Sequence, residues 1–444
     1  MRKIMHLGLD DTDSTRNGCT TYLSSLLVSK LEQLNVKFID YPNLIRLNPN
    51  VPWKTRGNGA LCLRFEFEEE HEADIMAMAT DLVEENADIG IPGTDPGIVF
   101  FPQRVIPEAF KNFSWKTETD IVTLKQATSL ITEYGAEAIG YNTCRGIIGA
   151  LAAIGETLDR DHTFELIAYR TPENRGSKRL VDQASIFEMD RQTKPFTFNN
   201  VDVEKRRVVI TPRGPDPLLF GIRGESAEIV RHALSLVKIL EPIERWVVFR
   251  TNQGTDAHLT LASSLNQLKP YRSVIASGIV SRRPRIVPKR HVIFALKDST
   301  AEVDCAAYEP TGDLRKVANQ LIVGDEIEVY GAVREACVRR PLTVNLEKIN
   351  LKSLASNVAY KNPSCSTCSK TMTSMGKGQG FKCRKCGAKF KTAKKIPFEK
   401  PRYVSPALYF TSTRSQRHLT KPLRRYGQEK DIRNEEKMIS EWHS

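Results

Sequence analysis

Four cysteines near the C-terminus constrain this chain most. Cys365-x-x-Cys368 is followed, after an interval of fourteen residues, by Cys383-x-x-Cys386. Each pair can sit on a turn that aims both thiolates inward, and two such turns close a tetrahedron around Zn²⁺. Pro363, Gly380 and Gly387 suit those turns. A closed four-thiolate site leaves no position for water or substrate, so its role is structural. Metal binding supplies on the order of 10 kcal/mol of folding free energy to so small a module. Redox pairs or disulfides are the other readings of such cysteines. The chain has nine cysteines, an odd number, with five scattered; that pattern favours metal binding in a reducing compartment. Lys370, Lys377, Lys382, Arg384, Lys385, Lys389 and Lys391 surround the pairs, which suits a ribbon facing a phosphate backbone.

The remaining chain of 444 residues has room for about three domains. Apolar spacing predicts a strand over 4–9, a helix over 20–34, strands over 36–47 and 60–67, a helix over 74–85 and a strand over 97–101. That order, β-α-β-β-α-β, is ferredoxin-like. Helices over 125–131 and 145–154, strands over 163–169, 206–211 and 218–222, a helix over 227–240 and a strand over 244–250 suggest a second small α+β unit. From residue 271 short alternating strands take over (274–280, 291–297, 302–308, 326–333, 342–349), with one helix over 313–320. Five strands with a helix between the third and fourth match an OB-fold, an SH3-like or other small barrel being the alternative. Beyond the ribbon lies a basic tail carrying Arg414, Arg417, Lys421, Arg424 and Arg425. The expected class is thus α+β and multidomain: ferredoxin-like units, an OB-fold barrel, a zinc ribbon and a basic tail.

Charge and hydropathy narrow the partners. The formal net charge is +12, which favours a polyanion, nucleic acid or anionic membrane. The longest apolar stretch, 146–155, is far short of the roughly 20 residues that span a bilayer. The N-terminus turns acidic before a signal-peptide core develops. A cytoplasmic protein without a membrane partner is expected.

Two loops carry candidate chemistry. In Gly8-Leu9-Asp10-Asp11-Thr12-Asp13-Ser14, three carboxylates crowd the end of a strand just before a helix. Charges so close repel unless a cation neutralises them, and Mg²⁺ shared with nucleotide phosphates would do so. A plain polar turn is the other reading. Lys54-Thr55-Arg56-Gly57-Asn58-Gly59 combines glycines, which let backbone approach closely, with cations for a triphosphate; a surface hairpin loop reads the same. Gly146-Ile147-Ile148-Gly149-Ala150 suits a close-packed helix, and the polar loop 251–258 follows an apolar strand. No Walker or protein-kinase signature occurs.

Taken in order, GLDDTDS (8–14) with Cys19-Thr20-Thr21-Tyr22, LIRLNPN (44–50), KTRGNGA (54–60), RGIIGALAAIG (145–155), GPDP (214–217), GIRGES (221–226), FRTNQGTDAHL (249–259), the barrel and the ribbon resemble the archaeal tRNA-isoleucine 2-agmatinylcytidine synthetases over essentially the whole chain. The resemblance implies an ATP-dependent ligase that joins agmatine to the wobble cytidine of an isoleucine tRNA with a CAU anticodon. ATP goes to AMP and two phosphates, and decoding changes from AUG to AUA. It implies a kinase-like domain over 1–118, its boundary open as far as about residue 195. A ferredoxin-like domain over 119–265, an OB-fold over 266–355, a zinc ribbon over 356–397 and the tail over 398–444 follow. By the same resemblance Thr20 is the autophosphorylated threonine, and Asp10, Asp11 and Asp13 hold Mg²⁺. Lys54, Arg56, Asn58 and Arg223 contact nucleotide. Agmatine's cationic groups call for a carboxylate, with Asp216 and Asp256 as candidates. The implied cofactors and partners are ATP, Mg²⁺, structural Zn²⁺, agmatine and the tRNA, with no obligate protein partner. A single-strand-binding OB/ribbon protein and another ATP-dependent tRNA-modifying enzyme are the alternatives.

Overall fold

The computed structural model describes residues 2–14, 16, 18–54, 57–212, 214, 216–338, 340–430 and 437–444. The first unit comprises β1 (Arg2–Asp10), α1 (Thr20–Gln33), β2 (Asn43–Arg46), β3 (Gly59–Glu68), α2 (Glu72–Asn86) and β4 (Gly97–Phe101). Its strands run antiparallel in the order β4-β1-β3-β2, the ferredoxin-like arrangement expected. The strand foreseen over 36–47 is broken. Asp40 turns back to accept from the Tyr41 N–H at 2.8 Å and from Asn43 Nδ2 at 3.0 Å, and Pro42 has no N–H for a ladder.

Three helices cover the other face of this sheet: α3 (Glu108–Thr119), α4 (Leu124–Tyr134) and, after the edge strand β5 (Glu137–Gly140), α5 (Gly146–Gly155). Their core joins Phe101, Phe110, Phe113, Leu151 and Ile154. Sequence periodicity missed α3 because its buried face mixes Phe110 and Phe113 with Ser114 and Thr117.

β6 (Thr163–Arg170), α6 (Gln183–Thr193), β7 (Thr197–Phe198), β8 (Leu218–Gly224), α7 (Ala227–Leu236) and β9 (Ile243–Thr251) repeat the first topology, with strand order β9-β6-β8-β7. The expected strand over 206–211 contracts to Arg207–Val208, and the helix foreseen to 240 stops at Leu236. β9 pairs in parallel with β2, Arg250 opposite Asn43 and Thr251 opposite Leu44. That one pairing fuses the two units into a single sheet and places the ends of β1, β2, β6 and β8 around one region.

β10 (Ser273–Val287), β11 (His291–Lys297), β12 (Glu302–Ala307), α8 (Asp313–Ala318), β13 (Glu326–Arg334) and β14 (Thr343–Ser353) form the barrel. β10 pairs with both β11 and β13, β12 runs parallel to β14, and β13 pairs with β14. This closed five-stranded path with its helix between the third and fourth strands is the OB topology. A two-stranded stalk, Val358–Lys361 with Ile396–Glu399, carries the ribbon.

The basic tail is not a free arm but a strap. Arg414 meets Asp202 at 2.8 Å, and Arg424 holds Asp190 through both oxygens at 2.6 and 2.9 Å. Arg425 is fully buried between Asp161 and Glu225. Desolvating so many charges is tolerable only because each is paired. The strap ends where Trp442 packs edge-on against Phe38 and Tyr41.

Candidate functional site

The acidic loop leaves β1 directly beneath the first turn of α5. A Cβ at Gly149 would sit 1.8 Å from Asp10 Oδ2, and one at Gly146 would sit 2.4 Å from the Gly97 nitrogen. The glycine spacing therefore serves close packing, as read from sequence, and the helix it packs is pressed onto the acidic strand end. Asp95 fixes this junction: its carboxylate accepts from the Thr143 N–H at 3.1 Å and lies 3.7 Å from Arg145. Asp11 adopts the left-handed backbone (φ 58°) and accepts from the Asp95 N–H at 3.2 Å. A non-glycine residue there is uncommon and points to a constrained loop.

Asp10, Asp11 and Asp13 line a solvent-open cleft of about 700 Å³ together with Trp53, Lys54, Asn58 and Arg145. Burial first, then the neighbouring Asp11, pushes the Asp10 carboxyl well above its ordinary range. Burial and the charge of Asp13 raise Asp11 to about 7. Carboxylates held this way favour a cation, and an all-oxygen donor set beside a cleft fits Mg²⁺. Lys54 is held by its bond to the Pro49 carbonyl at 2.6 Å, and Asn58 donates to the Asn48 carbonyl at 3.0 Å. Arg145 lies over the exposed ring of Trp53, 5.2 Å from its centroid.

A second, solvent-open cavity lies beside the same loops and shares Asp13, Gly57 and Gly59 with the first. Thr20, Asp216, Arg223, Arg46, Glu165 and His418 line it. Thr20 opens α1, is 7% exposed, and takes a hydrogen bond from Thr12 Oγ1 at 3.1 Å. Its place at a helix N-terminus suits a phosphorylated side chain. Asp216 pairs with Arg179 at 3.1 Å. Glu165 anchors the floor between Arg223 at 3.0 Å and Arg46 at 3.8 Å, and also accepts from Gln253 Nε2. Burial alone would raise Glu165; the two guanidiniums outweigh it and hold the carboxylate below its ordinary range.

The predicted residues thus fall into two adjoining groups, Asp10, Asp11, Asp13, Lys54 and Asn58 in one and Thr20, Asp216 and Arg223 in the other, with Asp13 common to both. Arg56 lies outside the described residues. Asp256 stands apart: it lines a third cavity with Glu118 and Asp159, accepts from the Lys421 N–H at 2.7 Å and is ion-paired with Lys348 of the barrel. Sequence reasoning missed Arg46, Trp53, Asp95, Arg145, Glu165, Gln253 and His418. Arg46, Arg145 and Gln253 lay inside motifs already marked; Glu165 and His418 carried no local signal.

The four cysteine sulfurs lie within 4.8 Å of one another, with individual separations of 3.4, 3.5 and 3.7 Å. Zinc–sulfur bonds of ~2.3 Å make a tetrahedron with edges of about 3.8 Å, so the cage needs only slight adjustment to close on Zn²⁺. The seven basic residues around it are all exposed.

Family models for the TiaS TCKD domain, the TiaS FLD domain and the TiaS C-terminal zinc ribbon match residues 6–143, 144–258 and 362–404. The chain is 42% identical to TiaS of Methanosarcina mazei, the 2-agmatinylcytidine synthetase of the isoleucine-2 tRNA, over 94% of this chain and 97% of that protein. It is 40% identical to the Methanocaldococcus jannaschii protein of the same name, over 95% and 98% of the two chains. The crystal structure of TiaS in complex with the isoleucine-2 tRNA and ATP superposes with a TM-score of 0.87 at 39% identity. That of TiaS with the same tRNA, AMPCPP and agmatine superposes with 0.84 at 37%, and each match covers 95% of this chain and 97% of the other. The chain therefore belongs to the TiaS family, the 2-agmatinylcytidine synthetases of the isoleucine-2 tRNA.

Proposed function

We propose that this chain is an ATP-dependent ligase that joins agmatine to the wobble cytidine of an isoleucine tRNA with a CAU anticodon, acting in the cytoplasm. The observation that carries this reading is the meeting of two cavities at Asp13, Gly57 and Gly59. One has the acidic and cationic groups that handle a triphosphate. The other has a buried threonine at a helix N-terminus and an array of cations.

The chemistry follows from the cytosine. Its 2-carbonyl is a poor electrophile because the oxygen cannot leave. Phosphorylating that oxygen creates a leaving group, and the primary amine of agmatine displaces it. In the first cavity Asp10, Asp11 and Asp13 would hold Mg²⁺, which when bound neutralises phosphate charge during transfer. Lys54, Asn58 and Arg56 are assigned to the nucleotide phosphates. Arg223 is assigned to phosphate on the second side, where Thr20 takes a phosphoryl group. Asp216, in the same cavity as Thr20, is placed better than Asp256 to meet agmatine's guanidinium. The barrel and the ribbon's exposed lysines hold the tRNA. We assign the division of labour to the units read from sequence: a kinase-like unit over 1–118 with its boundary open as far as about 195, a ferredoxin-like unit over 119–265, the OB-fold over 266–355, the ribbon over 356–397 and the tail over 398–444.

The test is ATP-dependent incorporation of labelled agmatine into a tRNA transcript with a CAU anticodon. Wild-type protein incorporates label and Asp11→Ala does not. A normal rate from Asp11→Ala would remove the acidic loop from the mechanism, and no incorporation by the wild type would remove the function.

A further inference from the structure

We propose that His418, delivered by the C-terminal strap, takes the proton from agmatine's amine as its nitrogen attacks C2 of the activated cytidine. The proposal rests on the function above and assigns a group to the one step that function leaves without a base.

Backbone bonds at His418 itself and at the next residue hold the strap in place here. The Gly254 N–H donates to the His418 carbonyl at 2.8 Å, and the Asp256 N–H donates to the Leu419 carbonyl at 2.8 Å. One residue further, Thr420 donates to Glu347 of the barrel at 2.7 Å. The imidazole then enters the wall of the second cavity. Its Nδ1 lies 3.0 Å from Gln253 Oε1 and 3.1 Å from Arg223 Nη2. The two neighbours ask for opposite tautomers, and Gln253 decides between them. Its amide nitrogen faces Glu165, which can only accept, so the amide oxygen is the atom left for the ring. A bare Nδ1 would set two acceptors against each other there; Arg223 keeps its bond to Glu165 through Nε, and its Nη2 then makes no bond to the ring. Nδ1 therefore carries the hydrogen, and Nε2 keeps its lone pair. Glu165–Gln253–His418 is a base with an orienter behind it.

Nε2 lies beside Gly57, where a Cβ would come within 2.9 Å of it, so any side chain at that position would cover the nitrogen. Gly57 lines both cavities. The charged groups around the ring are Arg46 of β2, Arg223 of β8, Lys54 of the glycine loop and, behind Gln253, Glu165 of β6. Arg46 above all, then burial, Arg223 and Lys54, hold the imidazole well below its ordinary range, so it rests neutral and passes on a proton it takes rather than keeping it. Of the carboxylates of this cavity, Glu165 is bonded to two arginines and Gln253, Asp216 pairs with Arg179 and is assigned to agmatine's guanidinium, and Asp13 is assigned to Mg²⁺.

Agmatine's ammonium gives one proton to solvent on entering beside these cations. The free amine attacks C2, the C2–N bond forms, and the C2–O bond breaks with its electron pair leaving on inorganic phosphate. The surplus proton on the new C2–N nitrogen passes to His418 Nε2 and from there to the departing phosphate or to solvent.

The experiment uses full-length His418→Gln and His418→Ala with tRNA, reading phosphorylation of Thr20 and agmatine transfer separately. Transfer falls by at least about a hundredfold, the range of a lost general base, with little change in KM for agmatine. Phosphorylation stays within about threefold of wild type. The residual transfer of His418→Gln climbs with pH, and an amine of lower pKa than agmatine recovers part of the rate. Transfer by His418→Gln within about threefold of wild type overturns the proposal. Equal loss of phosphorylation and transfer in both variants overturns it too, since the residue would then act only in holding the strap. If wild-type protein phosphorylates itself but transfers no agmatine, the functional reading fails, and this assignment with it.

Discussion

The zinc ribbon and the paired cavities both gather groups that repel one another, and they do so by opposite means. The ribbon draws its four thiolates from 22 consecutive residues, 365–386, and its knuckles need nothing from the rest of the chain. The cavities draw Asp11, Thr20, Lys54, Arg145, Glu165, Arg223 and His418 from both ferredoxin-like units and from a strap that arrives last. A local site is stabilised by its metal; a composite site is stabilised by packing. Perturbations should therefore separate the two.

The largest effect is expected from zinc removal or Cys383→Ser. Losing on the order of 10 kcal/mol of metal-binding free energy unfolds the ribbon, and tRNA affinity drops with it. Thr20 phosphorylation by ATP persists, because among the described residues none of the ribbon lines either cavity. A phosphorylation assay on the metal-stripped protein checks this, and loss of both activities would break the comparison. Next comes Asp11→Ala, which should cost about a thousandfold in phosphorylation, comparable to removing a group that stabilises transition-state charge, while zinc content stays at one ion per chain. Arg425→Ala should follow. It leaves Asp161 and Glu225 without their buried cation, at a cost of about 3–5 kcal/mol. A lowered Tm with zinc content unchanged is the signature.

The smallest effect is a pH effect. Glu347 accepts from His258 at 3.1 Å and from Thr420 at 2.7 Å, joining barrel to loop and strap. Burial alone would raise it, yet His258, Arg417 and Thr420 hold it at about 2. A depressed carboxyl contributes stability above its unfolded value of about 4.3 and loses it as pH falls toward 2. Hydrogen exchange of residues 413–425 should quicken over that window in the wild type. In Glu347→Gln the same segment should exchange faster already at neutral pH.

What the sequence disclosed tracks this division. Cys365, Cys368, Cys383 and Cys386 were legible because two knuckles fix their own geometry. The first ferredoxin-like unit was legible because short apolar runs alternate with segments of helical spacing, the barrel because its short strands follow one another with a single helix between, and the acidic and glycine loops because their residue types cluster. The pairing of β9 with β2 was not, since nothing local sets which edges meet; without it Thr20 and Arg223 cannot be placed in one cavity. His418 was hidden for the same reason. It is one histidine in a basic segment, and that segment became a strap only because its arginines found Asp190, Asp202, Asp161 and Glu225 on other elements.

The measurement that tests the central claim most directly is the mass of the wobble nucleoside after reaction of the CAU-anticodon tRNA with protein, ATP, Mg²⁺ and agmatine. The joined cavities predict a gain equal to agmatine less one water at that cytidine, absent when ATP is withheld. An unchanged cytidine, or a modification at another position, would contradict the claim that the two cavities form one reaction centre for this base.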